Sequence, residues 1–278
     1  MNKRLVPILA FLILLLGCSR EEGGGQPSPP SGGDAEKPAA STGDAMAPAS
    51  GGGKPWDPAA GTATVKGTVK FVGKPPQARG IDMAGADAKC AELHGGERLK
   101  PEAVVVNDNG TLRHVFVWVK TGAEGWSFPP PEGEAVLNQK GCMYEPHVQG
   151  MRVGQSLSVK TSDPTAHNVH GYGKTNRSFN RSQPPGAADV VMTMKRDEAS
   201  PPMKVKCDIH PWMNAYIAVV AHPYYAVTGP DGSFELANLP PGTYTIEAWH
   251  EQYETIDQTV TVGDGETSTL EFTYPEKS

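Results

Sequence analysis

The chain has 278 residues, with 25 Lys and Arg against 31 Asp and Glu and a formal net charge of −6. That balance argues against nucleic acid as a partner. Short Val, Thr, Tyr and Phe runs alternate with turns drawn from 32 Gly and 26 Pro, a composition that points to an all-β protein built of β-sandwiches.

The N-terminus, residues 1–17, has the anatomy of an export signal. Lys3 and Arg4 supply the charged start, and Leu5 to Leu16 an apolar run too short for a comfortable membrane span. The L-L-G-C stretch, Leu15 to Cys18, resembles the lipobox of bacterial lipoproteins. The resemblance implies cleavage before Cys18 and acylation of its thiol; an ordinary signal with a chance Cys is the alternative. Ser19, rather than Asp, follows the Cys. By analogy with Gram-negative lipoproteins, that places the chain in the bacterial envelope, at the outer membrane, facing the periplasm or the cell surface. The lipid anchor would be its one contact with membrane.

Residues 18–61 are rich in Gly, Pro, Ala and Ser and carry no apolar period. Such a stretch cannot bury enough surface to offset its ordering entropy and is expected to be a tether, with a reach on the order of 35 Å. About 215 residues follow, enough for one large or two small domains.

Residues 62–131 form a first β-rich region. T-A-T-V-K-G-T-V-K-F-V alternates through Val65, Val69 and Phe71, and G-K-P-P turns the chain. A less regular stretch holds Cys90. A-V-V-V and R-H-V-F-V-W-V, split by N-D-N-G, predict a hairpin. His114, at the head of the second arm, is expected to be structural.

Residues 132–221 carry the chemistry. M-R-V-G-Q-S-L-S-V-K-T-S-D predicts two strands about V-G-Q, and M-K-V-K-C and N-A-Y-I-A-V-V-A flank a loop, C-D-I-H-P-W-M. That loop packs a thiol, an imidazole and a thioether into seven residues, Cys207 to Met213. Upstream, D-P-T-A-H-N-V-H sets His167 at the mouth of a strand. A site of two imidazoles, a thiolate and a weak axial thioether is the donor set of blue copper.

Both motifs resemble cupredoxins: C-D-I-H-P-W-M the short ligand loop of amicyanin, T-A-H-N-V-H the first-ligand strand. The resemblance covers about 80 residues, Tyr144 to Ala221, within a single domain. It implies one type 1 copper ion held by His167, Cys207, His210 and Met213, with Asn168 tying the two ligand-bearing segments together. Zinc is the other metal reading, and Met213 argues for copper. Alternation puts His170 on the face opposite His167, so it reads as a non-ligand. His147 is a core or edge His, or an extra ligand. Trp212 is expected beside an exposed edge of His210, as part of a docking patch or as loop packing. With Cys18 acylated and Cys207 a ligand, Cys90 and Cys142 are left over. In an exported chain they are expected to pair; two free buried thiols are the alternative.

Residues 222–276 resemble a carboxypeptidase regulatory-like (transthyretin-like) module through D-G-S-F-E-L-A-N-L-P-P-G-T-Y-T-I. The fold class is thus a cupredoxin sandwich plus a second, smaller sandwich. G-T-V-K-F-V-G-K-P-P resembles the first strand of the same module. One arrangement therefore has residues 62–120 completing the C-terminal sheet, with the copper domain inserted. His222 and His250 are expected to be structural.

The leading functional expectation is a non-enzymatic one-electron carrier. Its partner would be a redox protein such as a c-type cytochrome or a periplasmic oxidoreductase. Copper carriage or buffering in the envelope is the second reading. A surface interaction protein with structural copper is the third.

Overall fold

The computed structural model describes residues 53–253 and 255–277. The predicted signal, most of the tether and Cys18 lie outside the described residues.

In chain order, β1 (Lys54–Pro55) leads into β2 (Ala63–Val72), whose Ala63, Val65, Val69 and Phe71 are buried. A long excursion follows, with one short helix, α1 (Ala88–Leu93). Next come β3 (Phe116–Thr121), β4 (Trp126–Ser127), β5 (Glu134–Lys140), β6 (Met143–Glu145) and β7 (Val148–Arg152). They are followed by β8 (Ser156–Thr161), β9 (His167–Tyr172), β10 (Phe179–Gln183), β11 (Val190–Thr193), β12 (Glu198–Lys206) and β13 (Asn214–Val220). The chain ends in β14 (Tyr225–Val227), β15 (Ser233–Leu239), β16 (Gly242–Trp249), β17 (Ile256–Val262) and β18 (Thr267–Pro275).

The strands make two sandwiches. The first stacks a five-stranded sheet, β10-β9-β12-β13-β7, on a four-stranded one, β11-β8-β5-β6. Leu137, Leu157, Val169, Met203, Val205 and Ile217 fill the space between them. The second stacks β14-β3-β16-β17 on β15-β2-β18 around Val69, Val117, Phe234, Ile246 and Phe272. In it, β2 runs parallel to β18 and antiparallel to β15, while β3 pairs with both β14 and β16. Two strands from residues 63–121 are therefore built into the C-terminal sandwich, and the first sandwich lies between them and the rest of their sheets in sequence.

Period-2 alternation joins the two sandwiches. On β13, Ala215, Ile217 and Val219 face the first core, while Tyr216, Ala218 and Val220 face a third cluster. On β3, Val117 and Val119 face the second core, while Phe116 points into that same third cluster beside Trp249. Both strands are thus buried on two faces, which is why they read as continuous apolar runs.

The predicted hairpin is present and short: Val106 bridges to Leu112, flanked by the Asn107 N–H donating to Thr111 O at 2.8 Å and the Arg113 N–H to Val105 O at 3.0 Å, around the Asn107–Gly110 turn. The second arm is diverted: the Leu112 N–H donates to Val69 O at 2.8 Å, and His114 turns the chain with φ of 64°.

Candidate metal centre

Strand β9 delivers His167 as its first residue, and the turn between β12 and β13 delivers Cys207, His210 and Met213. β9 and β12 are antiparallel neighbours, so the two motifs meet at one end of the sandwich. The loop is closed by its own backbone: the Cys207 N–H donates to Met213 O at 3.1 Å, and the Met213 N–H to His210 O at 2.9 Å.

His167, Cys207, His210 and Met213 are all fully buried. One ligand atom from each of His167, Cys207 and His210 falls within 4.8 Å of the others. His167 Nδ1 and His210 Nδ1 are 3.0 Å apart, and Cys207 Sγ lies 3.6 Å from His210 Nδ1. Met213 belongs to the same buried cluster as Cys207.

Each imidazole is oriented by a carboxylate. His167 Nε2 meets Asp163 Oδ2 at 2.9 Å, and His210 Nε2 meets Asp87 Oδ2 at 3.1 Å. With the Nε2 protons donated outward, both Nδ1 lone pairs converge on each other and on the sulfur. Three converging donors in a buried space call for a cation, and carboxylate–imidazole pairs behind the ligands are the usual support of a metal site. The donor set fits copper.

The electrostatics agree. Burial pulls the His167 pKa down, but Asp163 and Cys207 outweigh it and push it up to about 9. Burial pushes the Cys207 thiol up, but hydrogen bonds from His167 and His210 bring it down to about 6. His210 is also raised, by Cys207 and Asp87 against burial. The cluster favours a thiolate facing positive charge.

Asn168 ties the segment of His167 to the segment of Cys207: its Oδ1 accepts the Asp208 N–H at 2.6 Å, and its Nδ2 donates to Asp208 Oδ2 at 2.9 Å. Asp163 does a second job. β5 and β6 are joined by Gly141 and Cys142, with φ of 62° and 54°, the two-residue geometry that matches strand twist. Cys142 carries a side chain in this left-handed region, and Asp163 offsets the cost by accepting the Gly141 and Cys142 N–H groups at 2.6 and 2.7 Å.

Cys142 is joined to Cys90 of α1 by a disulfide, and Cys207 is the free thiol among the described residues. The disulfide lies against the metal cluster, with Cys90 Sγ 3.5 Å from His210 Nε2. Here the sequence expectation of an exposed His210 edge is corrected. Asp87 and Cys90, from a segment some 120 residues upstream, cover that edge, and the ring is fully buried. Trp212 packs 5.3 Å from the His210 ring and donates its Nε1–H to Cys142 O at 2.9 Å.

The other histidines lie elsewhere. His170 faces away from the cluster, onto Asp208 Oδ2 at 2.9 Å and the Tyr172 ring. His147 sits between the sandwiches, its Nδ1 on Asn214 O and its Nε2 on Glu251. His114 stacks edge-on against His147, His222 donates to Val119 O, and His250 is buried beside Tyr253. Asp163 and Asp87 are the functional residues that sequence reasoning missed. Asp163 had a faint signal, four residues before His167 in S-D-P-T-A-H; Asp87 had none.

Residues 210–275 match the carboxypeptidase regulatory-like domain, a stretch that begins at the second imidazole and takes in β13 as well as the C-terminal strands. No curated protein matches the chain. Solved structures similar to part of it include a purple cupredoxin from Nitrosopumilus maritimus, at 17% identity and a TM-score of 0.26, covering 31% of this chain and 99% of that one. The cuprous form of an amicyanin variant aligns at 18% identity and a TM-score of 0.27, covering 32% of this chain and 84% of that one. A copper-containing nitrite reductase from Thermus scotoductus aligns at 14% identity and a TM-score of 0.29, covering 54% of this chain and 28% of the reductase.

Proposed function

We propose that this chain is an envelope-anchored, one-electron carrier built on a cupredoxin domain with a single type 1 copper ion. The observation that carries the reading is the convergence of His167 Nδ1, His210 Nδ1 and Cys207 Sγ in a buried space, each imidazole backed by a carboxylate.

Bound copper supplies a one-electron couple. The protein's part is to hold His167, Cys207, His210 and Met213 in one geometry for both oxidation states, so that little reorganises when the electron moves. Asp163 and Asp87 fix the two rings, Asn168 fixes the loop, and full burial keeps water out. A set of four protein ligands leaves no open position for a substrate, which favours a carrier over an enzyme. The partner would be a redox protein of the envelope, such as a c-type cytochrome, reached from a lipid anchor at Cys18.

The covered His210 edge favours copper carriage or buffering as a second reading, because a covered ligand gives a redox partner no close approach to the metal. The test is the full chain loaded with cupric ion. A carrier gives an intense thiolate-to-copper band, a reversible potential and rapid self-exchange. Slow self-exchange with ready transfer of copper to a modest chelator selects the second reading, and no uptake of copper rejects both.

A further inference from the structure

Between β2 and the Asn107–Gly110 turn the chain leaves the second sandwich, crosses to the first and returns. Of this excursion, residues 74–100 belong to no sheet, and among the described residues every backbone–backbone hydrogen bond they make stays within the segment. Their hold on the first sandwich is made by side chains. Ile81, Met83 and Cys90 are buried in its core. Asp87, the N-cap of α1, accepts from Lys89 N with one oxygen, while its other oxygen meets Thr165 Oγ1 and His210 Nε2. His94 Nε2 reaches Gly141 O at 2.8 Å. The remaining link is the Cys90–Cys142 disulfide. Asp87 Oδ2, at 3.1 Å, and Cys90 Sγ, at 3.5 Å, are the atoms standing over the outer edge of His210.

A long irregular segment without ladder hydrogen bonds, laid over a buried site, belongs to the low-stability end of a structure, where lids are found. A covalent staple beside the covered group changes that balance. We propose that residues 74–100 are a cap on the metal centre, locked shut by the Cys90–Cys142 disulfide, and that a dithiol reductant unlocks it. Cys90 and Cys142 are fully buried, so exchange takes place in transient openings of the segment: a thiolate of the reductant attacks one exposed sulfur and breaks the S–S bond, giving a mixed disulfide. Its second thiol then displaces that sulfur. Two electrons and two protons pass to Cys90 and Cys142, and the reductant leaves as its own disulfide. Release of α1 uncovers His210 Nε2 and Trp212, the surface through which metal or a redox partner gains access. The regulatory meaning rests on the metal reading above, while the test needs no metal.

The test uses the metal-free full chain. Alkylation of Cys207 by an uncharged reagent is followed by peptide mass spectrometry in the oxidised protein, after phosphine treatment, and in the C90A/C142A variant, with circular dichroism alongside. The cap predicts that reduction or the variant raises the Cys207 rate at least about tenfold, with the β spectrum retained. Equal rates in oxidised and reduced protein overturn it. Loss of the β spectrum on reduction overturns it too, since the sandwich would then depend on the stapled segment to stay folded. If Cys207 opens as predicted but the chain takes up no cupric ion, the cap stands and the metal reading falls.

Discussion

Asp163 joins His167 to Cys142: the same carboxylate oxygen meets His167 Nε2 at 2.9 Å and accepts the Cys142 N–H at 2.7 Å. The first imidazole and the turn that anchors the disulfide are therefore positioned by one group. Burial raises the Asp163 pKa, but His167 and the two turn N–H groups outweigh it and leave the carboxyl below its ordinary value. The group stays ionised, as its proposed role behind a metal-ligating imidazole requires.

Asp163→Asn replaces one acceptor of this carboxylate with a donor. Either His167 or the Gly141–Cys142 turn loses its partner. Copper affinity should fall about 10- to 100-fold, read by competition with a chelator of known affinity. Unchanged affinity would mean that Asp163 serves the turn alone.

The identities of the ligands can be separated by colour. Cys207→Ser should abolish the visible band of the copper-loaded chain, because the short covalent Cu–S bond is lost. His170→Ala should leave it nearly unchanged, since that ring turns to Asp208 and Tyr172. A colourless His170→Ala protein would overturn the ligand set.

The candidate loop was legible because its chemistry is local: Cys207, His210 and Met213 are spaced within one turn, and the structure brings Cys207 and His210 together with His167. His167 was legible because it opens a strand that alternates cleanly, with Val169 on its face and His170 on the other. The covering of His210 was not legible, because Asp87 lies 123 residues away in a segment with no period to read. That residues 62–120 complete the C-terminal sheet was legible as one arrangement through the likeness of G-T-V-K-F-V-G-K-P-P to the module's first strand. The register was not, since the parallel pairing of β2 with β18 joins residues about two hundred apart and leaves no trace in local pattern. The A-V-V-V hairpin was legible from its N-D-N-G turn, but its neighbour was not: the outward-facing Leu112 N–H goes to Val69 of β2.

Stability should fall as pH drops from 7 to 5. Burial, the largest cause in each case, pulls His114 down to about 3 and His222 and His250 down to about 4. Each stays neutral in the folded chain while the unfolded chain takes up a proton below about 6.5. The unfolded state then binds more protons, and each group costs on the order of 1–2 kcal/mol by pH 5. His147 acts in the opposite sense. Burial lowers its pKa, but Glu251 and Glu102 outweigh that and leave it raised, so its contribution is present below about 6.5 and is lost as pH rises through the folded value. His167 and His210 are raised as well and act with His147. His167, at about 9, is already charged at pH 7 and gains little on further acidification, so the three neutral rings still predict a net loss, measured by urea unfolding of the metal-free chain. His250→Phe should flatten the slope. A stability independent of pH across this range would contradict the burial of these rings as neutral groups.

Met213 tests the fourth ligand. It is fully buried in the cluster that holds Cys207, and its backbone closes the ligand loop at both ends. A thioether is a soft donor and favours cuprous copper, whereas an amide oxygen favours the cupric ion. Met213→Gln should therefore keep the metal and the charge-transfer band, since His167, Cys207 and His210 remain, but lower the reduction potential. Direct electrochemistry of the copper-loaded chain reads the shift, with circular dichroism confirming that the polar substitute has not unfolded the sandwich. A potential that stays where it was, in a folded, coloured protein, would place Met213 in the core rather than on the metal and leave a three-ligand site.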